Sequence, residues 1–379
     1  MSAWLEILRR VEALEEVQFD PQLVQDIEQF WGSAGALSDI HFYTPSFKSF
    51  QSTEIASCAK SAWPAVSITG GECKLQCDHC KAKILAPMLA ARTPEALWRA
   101  VNRFIEEGAQ GVLLSGGSNL RNEVEYGPFY PTLQRIKDSF PHFRIAVHTA
   151  LVDEDAAVAM EQAGIDVAMM DVIGTQDTIT QVYHLKRRVE DFEQTLEVLV
   201  RTRMRVVPHI VLGLHYGRLL GEWNALEMVQ RHRPSALVLV VVMPFYAPVH
   251  RPFATPDGHE VGRFFLDARR ALPDIPLLLG CARPPGLAKA QIDAYAALAG
   301  LNGIAHPADG VVELAARLGR GIHVTPACCS MAVGEEMLAL DQRGLQLDLE
   351  QVLAHERRHG TLKTRGASLR GLKVVSPMA

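Results

Sequence analysis

The stretch Ala65-Val66-Ser67-Ile68-Thr69-Gly70-Gly71-Glu72-Cys73-Lys74-Leu75-Gln76-Cys77-Asp78-His79-Cys80 runs from an apolar, strand-like segment into a loop with C-x3-C-x2-C spacing. Three thiolates on one short loop suit three irons of a 4Fe–4S cluster, whose usual ligands are cysteines. The fourth iron is then left without a ligand from this loop, and an open iron can bind and cleave a small molecule. Structural zinc is the competing reading. It wants four closed ligands, whereas His79 lies between two of the cysteines and no matching second pair follows within the usual distance. A disulfide framework fits poorly with a long chain, an odd total of seven cysteines and no secretory signal.

Working outward, the run at 65–69 is the first of eight strand-like segments. The others are 111–115, 144–149, 166–172, 205–214, 236–243, 276–280 and 302–305. Helical periodicity fills the gaps. Thr93 reads as the N-cap of a helix with Pro94 at its first position, ended by Gly108. Asp153 opens a second helix that Gly164 closes, and helices at 191–201, 222–231, 258–271, 289–298 and 311–318 keep the rhythm. Near-continuous apolar strands alternating with helices predict an α/β fold with a parallel sheet buried on both faces. Eight such units predict a closed (β/α)8 barrel of the TIM type. An open doubly wound sheet is the alternative, although no G-x-G-x-x-G fingerprint follows a strand. The boundaries read as an N-terminal helical and irregular extension at 1–64, the barrel at 65–320 and a C-terminal extension at 321–379, both extensions packing on the barrel.

Bulk properties narrow the class. With 379 residues, 48% hydrophobic, the chain can bury a sizeable core, and a net charge of −5 gives no nucleic-acid signal. The first sixteen residues mix acids and arginines with apolar residues, an amphipathic helix and not a signal peptide. No run of about 18 apolar residues predicts a membrane span. Free thiols without an export signal predict a cytoplasmic protein.

In a barrel, chemistry gathers at the carboxyl ends of the strands. The cysteine loop sits there. So do Ser115-Gly116-Gly117-Ser118, where glycine would let a ligand approach the backbone, a signal that is also that of a tight bend. His148, Asp171 and Tyr183-His184 follow strand ends, and each reads as a pocket-lining group or a satisfied polar side chain. His209 and His215 are polar contacts or ordinary strand-end histidines. Met243 faces a ligand or packs the core. Outside the first motif, Cys58, Cys281, Cys328 and Cys329 come from separate segments that could meet at one rim and hold a second cluster. Ser330 and Arg283 are further candidate ligands there. The tail residues Arg357, Arg358, Lys363, Arg365, Arg370 and Lys373, with no acid among them, read as a frayed terminus or as a basic patch for an acidic partner.

The cysteine motif resembles that of the radical S-adenosylmethionine (SAM) enzymes. In that family the open iron chelates the amine and carboxylate of SAM, and an electron from the cluster cleaves the sulfonium to a 5′-deoxyadenosyl radical. The resemblance implies that His79 takes the place of an aromatic residue, that Ser115, Gly116, Gly117 and Ser118 meet the methionine moiety, and that Gly213 meets adenosine. A glutamate common after the glycine pair is replaced here by Ser118. Over about residues 41–320 the strings Val66–Gly70, Cys77–Lys81, Ser115–Ser118, Tyr183–Leu185, Pro208–Val211, Gly213–Gly217 and Gly280–Pro284 resemble the biotin-synthase-like proteins. Among these they look most like a component of the two-protein lipoyl synthases. That likeness implies sulfur insertion into a protein-bound octanoyl or mercaptooctanoyl chain, with an auxiliary 4Fe–4S cluster as sulfur donor. It also implies three partners: an octanoylated lipoyl carrier domain, a second radical SAM subunit, and a small electron donor such as ferredoxin or flavodoxin. Other biotin-synthase-like activities (biotin synthase, maturase, mutase or methylase) are the alternative, and an iron–sulfur carrier would need neither the pocket nor the open iron.

Overall fold

The computed structural model describes residues 2–45, 51–55, 62–331 and 346–359. Two helices, α1 (Ala3–Arg9) and α2 (Pro21–Ala34), lead into β1 (Ile40–Tyr43). The repeating part follows: β2 (Ala65–Ser67), β3 (Leu89–Ala90), α3 (Pro94–Glu106), β4 (Gly111–Ser115), α4 (Tyr130–Ser139), β5 (Arg144–His148), α5 (Glu154–Gln162) and β6 (Val167–Met169). It continues with α6 (Gln176–Gln181), α7 (Val189–Val200), β7 (Arg205–Val206), β8 (His209–Leu212), α8 (Glu222–His232), β9 (Leu237–Val241) and α9 (Gly258–Ala271). The last units are β10 (Leu277–Leu279), α10 (Leu287–Leu298), β11 (Gly303–Ala305), α11 (Val311–Arg317), β12 (Ile322–Thr325) and α12 (Leu349–His359).

The helices start where short polar side chains can satisfy exposed backbone N–H groups. Thr93 accepts from Ala96 N at 3.2 Å and Asp153 from Ala156 N at 2.9 Å. Gly108 and Gly164 adopt φ of +88° and +79° just past α3 and α5, which only glycine does cheaply. No helix among the described residues is long and apolar enough to cross a membrane.

Every strand ladder is parallel. One sheet has the order β3-β2-β4-β5-β6-β7 and the other β12-β1-β11-β10-β9-β8. The expected single strand at 205–214 is broken into β7 and β8 around Pro208, which has no N–H to give a ladder. The break also links the sheets, because Val207 N still reaches Ala168 O at 2.9 Å and His209 N reaches Met170 O at 2.7 Å. Three strands were not expected: β1, the two-residue β3 and β12. β1 pairs with both β11 and β12, so each flanking segment adds a strand to the second sheet. Among the described strands no ladder joins β2 or β3 to β1, β11 or β12, so the hydrogen-bonded closure of an eight-stranded ring is not seen.

Alternation sorts the side chains into two cores. Ile145 and Val147 of β5 and Leu237 and Leu239 of β9 pack towards the helices. Ala146, Val167, Val207, Val238, Leu278 and Ala305 face inward with Tyr43 and Trp63. This lumen is filled from an unforeseen direction. After β12 the chain turns inside, and Ala327, Cys329 and Met331 join the inner core, with the turn at 329–331 touching β6, β10 and β11. Met331 reaches a cavity among Lys137, Arg144, Asp166 and Arg205 at the amino ends of the strands.

A buried ion pair anchors the end of β10. Arg283 and Asp293 are both almost fully buried. The guanidinium also donates to the carbonyls of Ala305 (2.6 Å) and His306 (2.8 Å), and Lys289 and the Ala308 N–H donate to Asp293. Arg283 is therefore committed to structure, against its reading as a cluster ligand. Removing one partner strands the other charge in the interior. Asp293→Ala is expected to lower stability by roughly 3–5 kcal/mol, read from urea unfolding of the apoprotein.

Candidate metal centre and active site

The loop after β2 is held in a shape that the backbone does not adopt by default. Gln76, Lys81 and Ala82 have φ of +49°, +46° and +59°, in the left-handed region that side chains disfavour. Short bonds brace the turn: Lys81 N to Cys77 O at 2.9 Å and Lys83 N to Cys80 O at 2.8 Å. The glycine pair after β4 lies directly against this loop. A Cβ on Gly117 would sit 1.8 Å from the Glu72 carbonyl oxygen and 2.6 Å from Cys73 Cα. Lys74 N donates to Ser118 O at 2.9 Å, and Gly117 N to Thr69 Oγ1 at 2.7 Å.

Asp78, 2% exposed, fastens the loop to three others. Its carboxylate accepts from Lys81 Nζ (2.7 Å), Tyr216 OH (3.1 Å) and Arg251 Nη1 (3.1 Å) and lies 3.0 Å from His184 Nε2. Burial opposes its charge, but the hydrogen bonds from Lys81, His184 and Arg251 outweigh that and hold the carboxyl well below the usual range. The sequence pointed to Asp78 only as part of the motif, because its partners lie up to 173 positions away.

Cys73, Cys77 and Cys80 line one cavity of about 300 Å³ at the carboxyl ends of the strands. Burial pushes the Cys77 thiol up, reinforced by Cys80 and Cys73. Burial pushes Cys80 the same way, but the charge and hydrogen bond of His79 outweigh it and hold that thiol below its ordinary value. Among the described residues no three His, Cys, Asp or Glu side chains converge as they would around one ion. A cubane spreads its thiolates wider than one ion does, so three loop thiols facing a cavity fit it better than zinc.

Cys281, Cys328 and Cys329 line the same cavity. Cys329 is close enough to Cys281 and Cys328 for each to raise its pKa, and Cys328 Sγ lies 3.0 Å from the fully buried Ser330 Oγ. Hydrogen bonds from Cys329 and Ser330 hold the Cys328 thiol low against the cost of burial. Cys58, the fourth expected member, lies outside the described residues, as does the tail from 360 onward.

Between the two thiol sets runs a polar band. His148 Nε2 is 3.6 Å from Asp171 Oδ1, Tyr183 OH donates to Asp171 Oδ2 at 3.4 Å, and the His148 and His209 rings meet edge to face at 5.5 Å. Burial opposes the Asp171 charge, but the hydrogen bond and charge of His148 outweigh it and hold the carboxyl at about 2. Burial and the charge of His148 together depress His209 to about 4. Asp171 influences Cys80 at one end of the band and His148 influences Cys328 at the other. Ser115, Gly116, Gly117, Ser118, His148, Asp171, His209 and Met243 all line the cavity. Gly213 does not. It makes a turn at φ +78°, its N–H donates to Glu222 at 3.0 Å, and Pro256 fills its open side. His215 is likewise away from the cavity, bonded to Thr178.

The close approach at Gly117 gives a sharp expectation. Gly117→Ala should displace the cysteine loop and remove most of the iron bound at Cys73, Cys77 and Cys80. At Gly116 a new Cβ meets only side-chain carbons, Ile68 Cγ1 and Val124 Cγ1, both at 2.9 Å. Gly116→Ala should therefore retain more iron than Gly117→Ala in a colorimetric assay after anaerobic reconstitution.

Comparison with known proteins gives the same picture over the core. Residues 67–221 match the model of the Radical SAM superfamily. No curated protein matches the chain. Among solved structures, the [FeFe]-hydrogenase maturase HydG is similar with a TM-score of 0.54 at 11% identity, over 89% of this chain and 79% of that one. Methylornithine synthase (PylB) is similar with a TM-score of 0.50 at 11% identity, over 95% of this chain and 96% of that one. At such identity the likeness is one of fold. The motif, the cavity at the strand ends and the matched segment together identify residues 67–221 as a radical SAM domain.

Proposed function

We propose that this radical SAM enzyme inserts sulfur into an aliphatic chain carried by a protein, in the manner of the two-protein lipoyl synthases. The observation that carries the reading is the pair of thiol sets facing one cavity: Cys73, Cys77 and Cys80 from the loop after β2, and Cys281, Cys328 and Cys329 from the loop after β10 and the lumen segment. The family implies a 4Fe–4S cluster and SAM, and when bound at the loop these supply a carbon radical able to take hydrogen from an unactivated C–H bond. The second thiol set would hold an auxiliary 4Fe–4S cluster, the source of sulfur, with Cys58 as a further candidate ligand.

The chain's own residues set what can lie between. Ser115, Gly116, Gly117 and Ser118 present backbone and hydroxyl groups beside Cys73, where the methionine moiety of SAM would be met. Met169, Val211, Val240, Val242, Met243 and Tyr246 supply apolar wall. Each methylene buried there is worth roughly 0.8 kcal/mol, so the six of an octanoyl chain contribute about 5 kcal/mol towards holding it. The Asp171–His148 pair, reached from the cavity, offers hydrogen bonds without a net cationic site. The same apolar wall disfavours water beside a reactive carbon.

The direct test is anaerobic incubation of the reconstituted protein with SAM, reductant and an octanoylated lipoyl carrier domain, with and without its second radical SAM subunit. The reading expects a carrier mass gain of one sulfur per insertion. An unmodified octanoyl chain, or a product without sulfur, would point to another biotin-synthase-like activity. Replacing Cys281, Cys328 and Cys329 together by Ala should lower iron content by about four per chain. The same variant should keep 5′-deoxyadenosine formation and abolish the mass gain.

A further inference from the structure

Resting on the chain-substrate reading above, we propose that the rim around the cavity mouth is the docking surface for an acidic carrier domain. Charge is divided between the cavity and its rim. Among the described residues no Lys or Arg side chain lines the cavity. A chain ending in a free carboxylate would find no Lys or Arg among the described lining, and the lining histidine His148 is already engaged by Asp171, so burying that carboxylate is costly. The acyl end is therefore masked as an amide or ester, and the body that presents it stays outside.

The cations are outside too. Lys74 and Lys83 project from the cysteine loop, Lys186 from the loop after α6 and Arg218 from the loop after β8. All four are exposed, and none has a carboxylate partner among the described residues. Exposed acids on the same loops are largely occupied. Glu72 pairs with Arg92 at 3.0 Å, and Glu123 pairs with Arg121 at 2.7 Å and Arg187 at 3.1 Å. Asp153 and Asp257 cap α5 and α9, and Glu125 and Asp177 are exposed on neighbouring segments without an ion pair among the described residues. Lys81 and Arg251 share the single carboxylate of Asp78, so that hub also carries surplus positive charge.

Apolar surface lies beside these charges. Val249 is 98% exposed and Phe245 56%, both on the loop between β9 and α9. That loop is tied to the cysteine loop through Arg251 and Asp78, and its Tyr246 lines the cavity. Ile84, next to Lys83, lines the mouth from the other side. An apolar centre edged by unpaired cations is the anatomy of a surface that recognises an acidic protein. An acidic reductant could read the same charges, but the opening at the centre of the rim leads to the apolar cavity, which suits a domain delivering a chain.

The test uses the full-length reconstituted protein and Lys83→Glu/Lys186→Glu/Arg218→Glu, with dithionite as reductant so that no donor protein is needed. The probes are an octanoylated lipoyl carrier domain and a short octanoyl-lysyl peptide. Association of the carrier with the wild type should be fast at low salt and slow at high salt. The triple variant should associate about tenfold more slowly at low salt, with SAM cleavage and peptide turnover unchanged. Equal carrier association in the two proteins, or no carrier binding by the wild type, would overturn the docking surface. A wild type that binds the carrier in this salt-sensitive way but never adds sulfur to either substrate would uphold the surface and overturn the sulfur-insertion reading.

Discussion

Burial of the segment after β12 inside the strand assembly is the constraint on which the rest depends. Parallel strands with inward residues such as Ala146, Ala305 and Gly280 leave a lumen too wide for their own side chains to fill. A protein interior tolerates few voids. Ala327, Cys329 and Met331 occupy that space between β6, β10 and β11, and in doing so carry a cysteine pair to the floor of the cavity. The same packing that completes the inner core thus sets the second group of thiols opposite the first. Truncating this segment would lose core and site together.

At the top of the assembly a different force governs. The cysteine loop is strained, with three non-glycine residues at positive φ, and strain of that kind persists only when its surroundings hold it. Gly117 lies beneath the loop with no room for a side chain, and Asp78 ties it sideways to the loops after α6, β8 and β9. With four polar partners the buried carboxylate stays charged, and removing one of them would leave that charge under-compensated. These contacts hold the loop so that its three thiols line one cavity.

Much of this was legible in the sequence, for physical reasons. The eight apolar runs became strands in the expected order because a parallel sheet covered on both faces demands continuous apolar residues. Thr93 and Asp153 marked helix starts through cap chemistry that is local. What failed to show was non-local. Ile40–Tyr43 and Ile322–Thr325 are four residues each, one holding two aromatics and a His and the other ending in a Thr, and only the pairing of the first with β11 and of the two with each other makes them strands. Pro208 announces a break, yet not that the break joins two sheets. Gly213 sat at the right place in the order for a ligand contact, but its positive φ serves a turn packed on Pro256. Arg283 looked available beside Cys281, and nothing local reveals that Asp293, ten residues on, claims it. The Cys328-Cys329 pair suggested a second site, but no pattern in the sequence says that the chain turns inward there.

The account stands on the loop thiols acting as the ligands of a cluster that opens SAM. The measurement that tests this most directly is 5′-deoxyadenosine formed by the anaerobically reconstituted protein under dithionite, compared between the wild type and Cys77→Ala. The account predicts 5′-deoxyadenosine from the wild type and none above background from the variant. Equal amounts from both would contradict it.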